Sequence, residues 1–288
     1  MSTTPDEPTT GGSAGSASRW PVLDGWRMAV GTLTAVPVRP PSHVDSRVAG
    51  IAMLLAPVAA LLPAAVWAAM GLLAVLGDSP SVALVLAVVA VCGQVLATRA
   101  LHLDGLADLA DGLSASYDRR TALAIMKTGD VGPSGATAIV LTLVLQIAAT
   151  AALFTQAAAQ PAVLCLGVTA VIASRFVLAV ACVRGVPAAT PAGLGATVAG
   201  SVSRVALVVA GVVLVLVCAS GHFFFGISRL SVIVIVAAGV LTAVAVVARA
   251  VSRLGGITGD VLGATVEIAC ATTLLTAALY AALVLTPL

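Results

Sequence analysis

The sequence predicts an all-α, polytopic integral membrane protein with about seven transmembrane helices and a cytoplasmic N-terminus. Three observations carry that expectation. Hydrophobic residues fill 60% of the 288 positions and the mean hydropathy is +1.14. Several runs of Leu, Ala and Val reach the ~20 residues that span a bilayer as a helix. Finally, the 14 Lys and Arg residues are distributed very unevenly between the two sides that such a topology defines.

Residues 1–18 are rich in Ser, Thr, Gly and Pro and lack an apolar stretch, so they read as a disordered cytoplasmic tail and not as a signal peptide. Residues 19–288 read as a single transmembrane catalytic domain. Within it, Val30 to Pro40 is too short and too rich in proline to cross and suits an interfacial or re-entrant segment. The spans follow at about Ile51–Leu76, Val82–Ala100, Ala136–Ala158, Ala162–Val183, Val205–Ser220, Leu230–Ala248 and Ala264–Leu285, of which Val205–Ser220 is the shortest. Helices or closed barrels alone satisfy the backbone in lipid. A barrel would alternate apolar and polar residues, whereas these runs are apolar almost throughout and rich in small residues that let helices pack closely. With the N-terminus inside, all the Lys and Arg residues but Arg229 fall in cytoplasmic segments or near cytoplasmic helix ends. Cys92, Cys165, Cys182, Cys218 and Cys270 stand singly in apolar runs and read as small core residues. Aromatics are only 3% of the chain and nothing resembles a nucleic-acid footprint, so no nucleic-acid partner is expected.

Against this apolar background, His102-Leu-Asp104-Gly105-Leu-Ala-Asp108-Leu-Ala-Asp111-Gly112 places three carboxylates in eleven residues of a chain that is 9% charged. At ~100° per residue, Asp104, Asp108 and Asp111 fall within roughly 60° of arc on one helical face. An Asp facing lipid near the bilayer centre costs ~2.5–3.5 kcal/mol, and like charges raise one another's pKa. The stripe is therefore expected to face a polar cavity holding a divalent cation. Gly105 and Gly112 on the adjacent stripe would let a substrate or a second helix approach the backbone.

Two further polar patches share the predicted cytoplasmic face. Asp118-Arg119-Arg120 precedes Lys127-Thr128-Gly129-Asp130-Val131-Gly132-Pro133-Ser134-Gly135, where glycine-rich backbone, Lys127 and a helix start near Ser134 suit a phosphate, although the spacing is not that of a P-loop. Arg253 to Glu267 opens the last span. Asp260 and Glu267, seven apart, share a helical face there and could complete a metal site begun by the first stripe. Arg175, inside an apolar run, either pairs with Glu267 or snorkels to the interface. His102 is either a ligand or proton acceptor or simply bonds a backbone carbonyl, and at least one of Arg119 and Arg120 suits an ordinary positive-inside anchor.

Together, His102 to Asp108 with Asp111-Gly112, the Lys127 to Gly135 segment, and Gly255-Gly256-Ile257-Thr258-Gly259-Asp260-Val261-Leu262-Gly263 resemble the adenosylcobinamide-GDP ribazoletransferase (cobalamin synthase) family. The resemblance runs from about Leu23 to Leu285 and extends to Thr32–Pro40, the Pro57 region and Gly193-Leu194-Gly195. At Thr128-Gly129-Asp130 many relatives read Asp-Ser-Arg, and no role is carried over to Asp130.

The resemblance implies a bacterial cytoplasmic-membrane enzyme that joins adenosylcobinamide-GDP to α-ribazole, or its 5′-phosphate, releases GMP and requires Mg²⁺. Its site faces the cytoplasm. Asp104, Asp108, Asp111 and Asp260 are then the expected metal ligands, and one of Asp104, Asp108, Asp111 and His102 the proton acceptor. Lys127, Arg119, Arg120, Gly105, Gly112, Gly132 and Thr258 are the expected phosphate and substrate contacts. Partners beyond the lipid bilayer, a second copy or other corrinoid-pathway enzymes, stay open. So do two other classes: an ion-coupled transporter, which would place its acids near the midplane, and a CDP-alcohol-type phosphotransferase, which also holds metal over a nucleotide diphosphate.

Overall fold

A computed structural model describes residues 18–77 and 79–285. The expected N-terminal tail, apart from Ser18, lies outside the described residues. Within them the chain is helical with no named strand. The helices are α1 (Pro21–Leu33), α2 (Ser46–Leu54), α3 (Ala56–Ala59), α4 (Leu61–Gly77), α5 (Pro80–Ala97), α6 (Leu101–Ala115), α7 (Arg119–Ile125), α8 (Pro133–Ala157), α9 (Leu164–Ala181), α10 (Leu194–Val198), α11 (Arg204–Phe224), α12 (Leu230–Leu254) and α13 (Gly259–Tyr280).

Seven of these helical stretches among the described residues are long and apolar enough to cross a membrane, as expected, and the chain is a multi-pass membrane protein. Several boundaries differ from the sequence reading: the last two spans, for example, run Leu230–Leu254 and Gly259–Leu285, five or six residues longer than expected. The first span begins at Ala56, because Leu55 closes α2 and Pro57 opens a new turn, so Ile51–Leu54 belongs to the preceding short helix. The span expected at Val205–Ser220 extends to Phe224 and, with 21 residues, is long enough to cross. Proline at the first or second position starts α1, α3, α5 and α8, where its missing N–H costs nothing.

The seven spans alternate in direction, so α1, α2, α6, α7, α10 and the starts of α8 and α13 all gather at one end of the bundle. Residues 30–40, expected to be interfacial, form the end of α1 and an extended strap beyond it. Asp24, fully buried, fastens the strap by accepting from the backbone N–H of Ser42 at 2.9 Å and from the hydroxyls of Ser42 and Ser18. The Ser42 bonds, hydroxyl first, hold its carboxyl well below the usual range.

Packing follows the small residues. α9 is buried along most of its length, whereas α11 is buried at only Leu214, Cys218 and His222. Trp67 of α4, fully buried, lies against Gly167 of α9 so closely that a Cβ there would overlap its indole ring. Its N–H donates to Thr150 Oγ1 at 3.1 Å, and its ring meets Phe154 with centroids 4.7 Å apart. At the far end, the buried His222 ring bonds Thr169 and Ser231 and so ties α11 to α9 and α12.

A paired substitution tests this packing. Gly167→Val is expected to cost at least about 1–3 kcal/mol by overpacking, read as a lower melting temperature in detergent. Gly221→Val in α11, where a Cβ meets nothing within 4 Å, is expected to leave the melting temperature close to wild type. Equal melting of the two variants would show that α9 does not pack on Trp67 as described.

Candidate active site

α6 and α13 touch backbone to backbone at the gathered end of the bundle. A Cβ on Gly105 would stand 2.8 Å from Asp260 Cα, and one on Gly263 would stand 3.2 Å from His102 Cα. Glycine at both places permits the approach, and it carries Asp104 and His102 of α6 to the same cavity as Asp260 of α13. Gly112 serves the same purpose one helix on, since a Cβ there would meet Met126 Cγ at 2.5 Å. For Gly105 and Gly112 it is the second helix, and not a ligand, that occupies the space.

The cavity measures about 510 Å³. Its polar wall includes Thr32, His102, Asp104, Lys127, Thr190, Thr258 and Asp260, and its apolar wall includes Leu33, Met53, Leu123, Leu178, Leu194 and Leu262. Thr258 caps α13 through Val261 N–H and donates its hydroxyl proton to Asp260 Oδ2 at 3.1 Å. The turn entering α6 is strained: Arg99 and Ala100 both adopt left-handed φ of 56°, which costs a non-glycine residue ~1–2 kcal/mol. The end of α1 and the strap secure this turn, with Arg99 donating to Gly31 O at 2.8 Å and Ala35 N–H to Ala97 O at 2.7 Å.

The acids are close but unpaired. Among the described residues the ion-pair contacts within 4 Å are Arg27–Asp24 and His102–Glu267, neither of which involves Asp104, Asp108 or Asp260. Asp108, partly buried, has its carboxyl pushed up to about 6, chiefly by burial and then by the charges of Asp260, Asp104 and Asp111. Such repulsion marks a site short of positive charge.

Asp111 has a different occupation. Its two oxygens accept from Gly132 N–H at 2.7 Å and Gly135 N–H at 2.8 Å, at the start of α8. The amides expected to cradle a phosphate, Gly132 among them, are therefore held by an anion of the chain itself. A buried carboxylate at a helix N-terminus satisfies two orphan donors and complements the macrodipole.

The basic candidates divide similarly. Arg119 donates to Ala189 O at 2.8 Å and lies over Gly255, clamping the 187–189 loop to the turn before α13. Pro187 O and Ile257 O accept from Ile257 N–H and Ala189 N–H in the same place. Arg253, unassigned in the sequence reading, donates to Leu113 O and Ser116 O and so ends α6. Arg120 is exposed and Lys127 lines the cavity.

Glu267 does not join the acids at the cavity mouth. Two turns below Asp260, it is buried, accepts from Gln146 Nε2 at 2.8 Å and lies 3.9 Å from His102 Nδ1. Arg175 is buried as well, bonds Ser174 at 2.6 Å, and no ion pair within 4 Å joins it to Glu267. Neither ring nitrogen of His102 has a hydrogen-bond partner, and burial, with the charge of Arg175 second, pushes its pKa down to about 3. No group of three His, Cys, Asp or Glu side chains among the described residues is arranged to hold a metal ion without other donors. The apolar wall went unnoticed in the sequence, because a leucine in an apolar run bears no mark of lining a cavity.

The family model for cobalamin-5-phosphate synthase matches residues 25–278, which takes in every site residue named above. An adenosylcobinamide-GDP ribazoletransferase from a Nocardioides species is 43% identical over 257 residues, covering 88% of this chain and 97% of the relative. One from Frankia casuarinae is 40% identical over 265 residues, covering 88% and 94%. No solved structure matches the chain. With the matched region spanning the whole bundle and relatives aligned along nearly their full length, the chain belongs to the cobalamin-5-phosphate synthase family.

Proposed function

We propose that this protein is an adenosylcobinamide-GDP ribazoletransferase, joining adenosylcobinamide-GDP to α-ribazole or its 5′-phosphate in the final assembly of the cobalamin nucleotide loop. The observation that carries the reading is the meeting of unpaired carboxylates from α6 and α13 beside one cavity, in a chain whose relatives bear that activity in their names. In this reading a ribose hydroxyl oxygen attacks the phosphorus attached to cobinamide. The bond from that phosphorus to the bridging oxygen breaks, and GMP leaves with that oxygen.

The chain's own groups serve this chemistry by position and charge. Asp108, poised near 6, is matched to accept the hydroxyl proton at neutral pH, whereas His102, near 3, is too weak a base. Lys127 at the cavity edge is placed to hold phosphate oxygens. Hard carboxylate oxygens fit Mg²⁺, which takes one or two protein carboxylates and completes its shell with phosphate oxygens and water. Asp104 and Asp260, which both line the cavity, are the residues that would hold it, with Asp108 kept as the proton acceptor and Asp111 committed to α8. When bound, the ion supplies charge stabilisation for the pyrophosphate being split. The active end is assigned to the cytoplasm, supported by the gathering of nearly all Lys and Arg there. An ion-coupled transporter is disfavoured because the acids crowd one end of the bundle.

Protein reconstituted in lipid with adenosylcobinamide-GDP, α-ribazole and Mg²⁺ is expected to form cobalamin and GMP in equal amounts and to stop when EDTA is added. Folded protein without turnover would sink the reading, and turnover insensitive to EDTA would remove the metal from it.

Two variant classes separate the acids. Asp104→Asn and Asp260→Asn are expected to lose about 10²–10³-fold in turnover while melting no lower than wild type, because each removes a repelling charge. Asp111→Ala is expected to lower the melting temperature, since it leaves two α8 donors without their acceptor at about 1–3 kcal/mol each. A destabilised Asp104→Asn would show that this carboxylate is structural.

A further inference from the structure

The cavity has two chemically distinct walls, and only one is explained by phosphoryl transfer. The acids and Lys127 answer the pyrophosphate. The other wall is built of Leu33, Met53, Leu123, Leu178, Leu194 and Leu262, contributed by six separate helices and so assembled only in the folded bundle. Beside it, in the polar wall, His102 is 3% exposed and has both ring nitrogens without a hydrogen-bond partner. An unpaired buried polar group costs about 1–3 kcal/mol, a cost that a ligand atom reaching the ring would remove.

The size and chemistry of this wall select among the parts of the two substrates, on the reading given under Proposed function. A volume of about 510 Å³ suits a ligand of ordinary drug size and not a corrin macrocycle with its amide arms and adenosyl group. Guanine would fit by size, but its edge carries donors and acceptors at almost every position, and a leucine wall would leave most of them unpaired. A benzimidazole is flat and apolar and carries few polar atoms. Its riboside adds hydroxyls, which would project from the apolar wall toward Asp104 and Asp260. A neutral imidazole can bond either the free ring nitrogen of the base or a ribose hydroxyl.

We propose that the leucine-lined half of the cavity is the binding site for the aromatic base of the nucleoside acceptor, with His102 as its one polar contact, while the corrinoid remains outside the cavity mouth. The wall then sets which lower bases are accepted, and a ribosyl hydroxyl meets the acids because the base is anchored behind it.

The experiment measures α-ribazole binding by calorimetry and both KM values by turnover, with wild-type protein in lipid nanodiscs and two variants. Leu194→Trp fills the cavity from a half-buried position, and Leu123→Trp does so from another helix if the first variant fails to fold. Each is expected to raise the α-ribazole KM about tenfold or more, leave the KM for adenosylcobinamide-GDP within about twofold, and recover in part with the smaller unsubstituted benzimidazole riboside. His102→Leu is expected to weaken α-ribazole about tenfold with the same selectivity, as one lost hydrogen bond from a buried site does. A raised KM for adenosylcobinamide-GDP alone, or no change in either KM, would overturn the assignment. Wild-type protein that binds α-ribazole, loses that binding in the tryptophan variant and yet shows no turnover would retain this site and discard the activity instead.

Discussion

The active end of this bundle depends on one contact, the reciprocal approach of α6 and α13 through glycine. Gly105 admits the backbone of Asp260, and Gly263 admits the backbone of His102. Each contact puts a glycine of one helix against a polar residue of the other, so the geometry that brings the helices together also brings their functional groups together. A Cβ at Gly105 would stand 2.8 Å from backbone atoms of Asp260 that cannot rotate away, so the helices would have to shift, and one at Gly263 would need a further few tenths of an ångström. This is membrane-helix packing by small residues, used here to set the spacing of charges.

A second layer holds the surrounding loops by charges that are fully spent. Asp24 fastens the strap after α1, Asp111 fastens the start of α8, Arg119 clamps the 187–189 loop to Gly255, and Arg253 ends α6. Each of these meets backbone groups, so its charge is consumed inside the fold. Asp104, Asp108 and Asp260 stand in no ion pair within 4 Å, and Asp260 accepts from the Thr258 hydroxyl beside it. In a chain with only 12 acidic residues, this contrast between satisfied and unsatisfied carboxylates distinguishes framework from site more sharply than sequence position does, since Asp108 and Asp111 are three residues apart on one helix.

That contrast also explains which features were legible in the sequence. Hydropathy and run length disclosed the seven spans, because lipid imposes a length and an apolar composition that few alternatives satisfy. The acidic stripe was legible as a helical face, and α6 is indeed helical. What spacing could not disclose is what stands opposite each residue. Asp111 shares the stripe but meets the N-terminus of a helix that begins 22 residues later in the chain. Glu267 shares a face with Asp260 yet lies two turns deeper, among Gln146 and His102. The glycine-rich segment at 129–135 reads as an anion cradle and is one, but its anion is internal. α1 passed unnoticed because it is too short to stand out by length, although Pro21 at its start and Asp24 in its first turn mark it in retrospect.

The buried polar cluster beneath the cavity follows from the same physics. Glu267, Gln146 and Arg175 are all enclosed among membrane-spanning helices, where an ionised group is costly and persists only with compensation. Gln146 supplies one hydrogen bond to Glu267, and His102 stands 3.9 Å from its other oxygen, too far for a second. The cluster is thus under-satisfied at the point where it meets the cavity floor, and His102 carries that deficit on its ring. A fold selected for stability alone would close such a gap with apolar side chains. Its retention beside a leucine wall makes sense if a ligand completes the network, in which case substrate binding and the local order of α6, α8 and α13 are thermodynamically linked: whatever occupies the cavity stabilises the helices that build it.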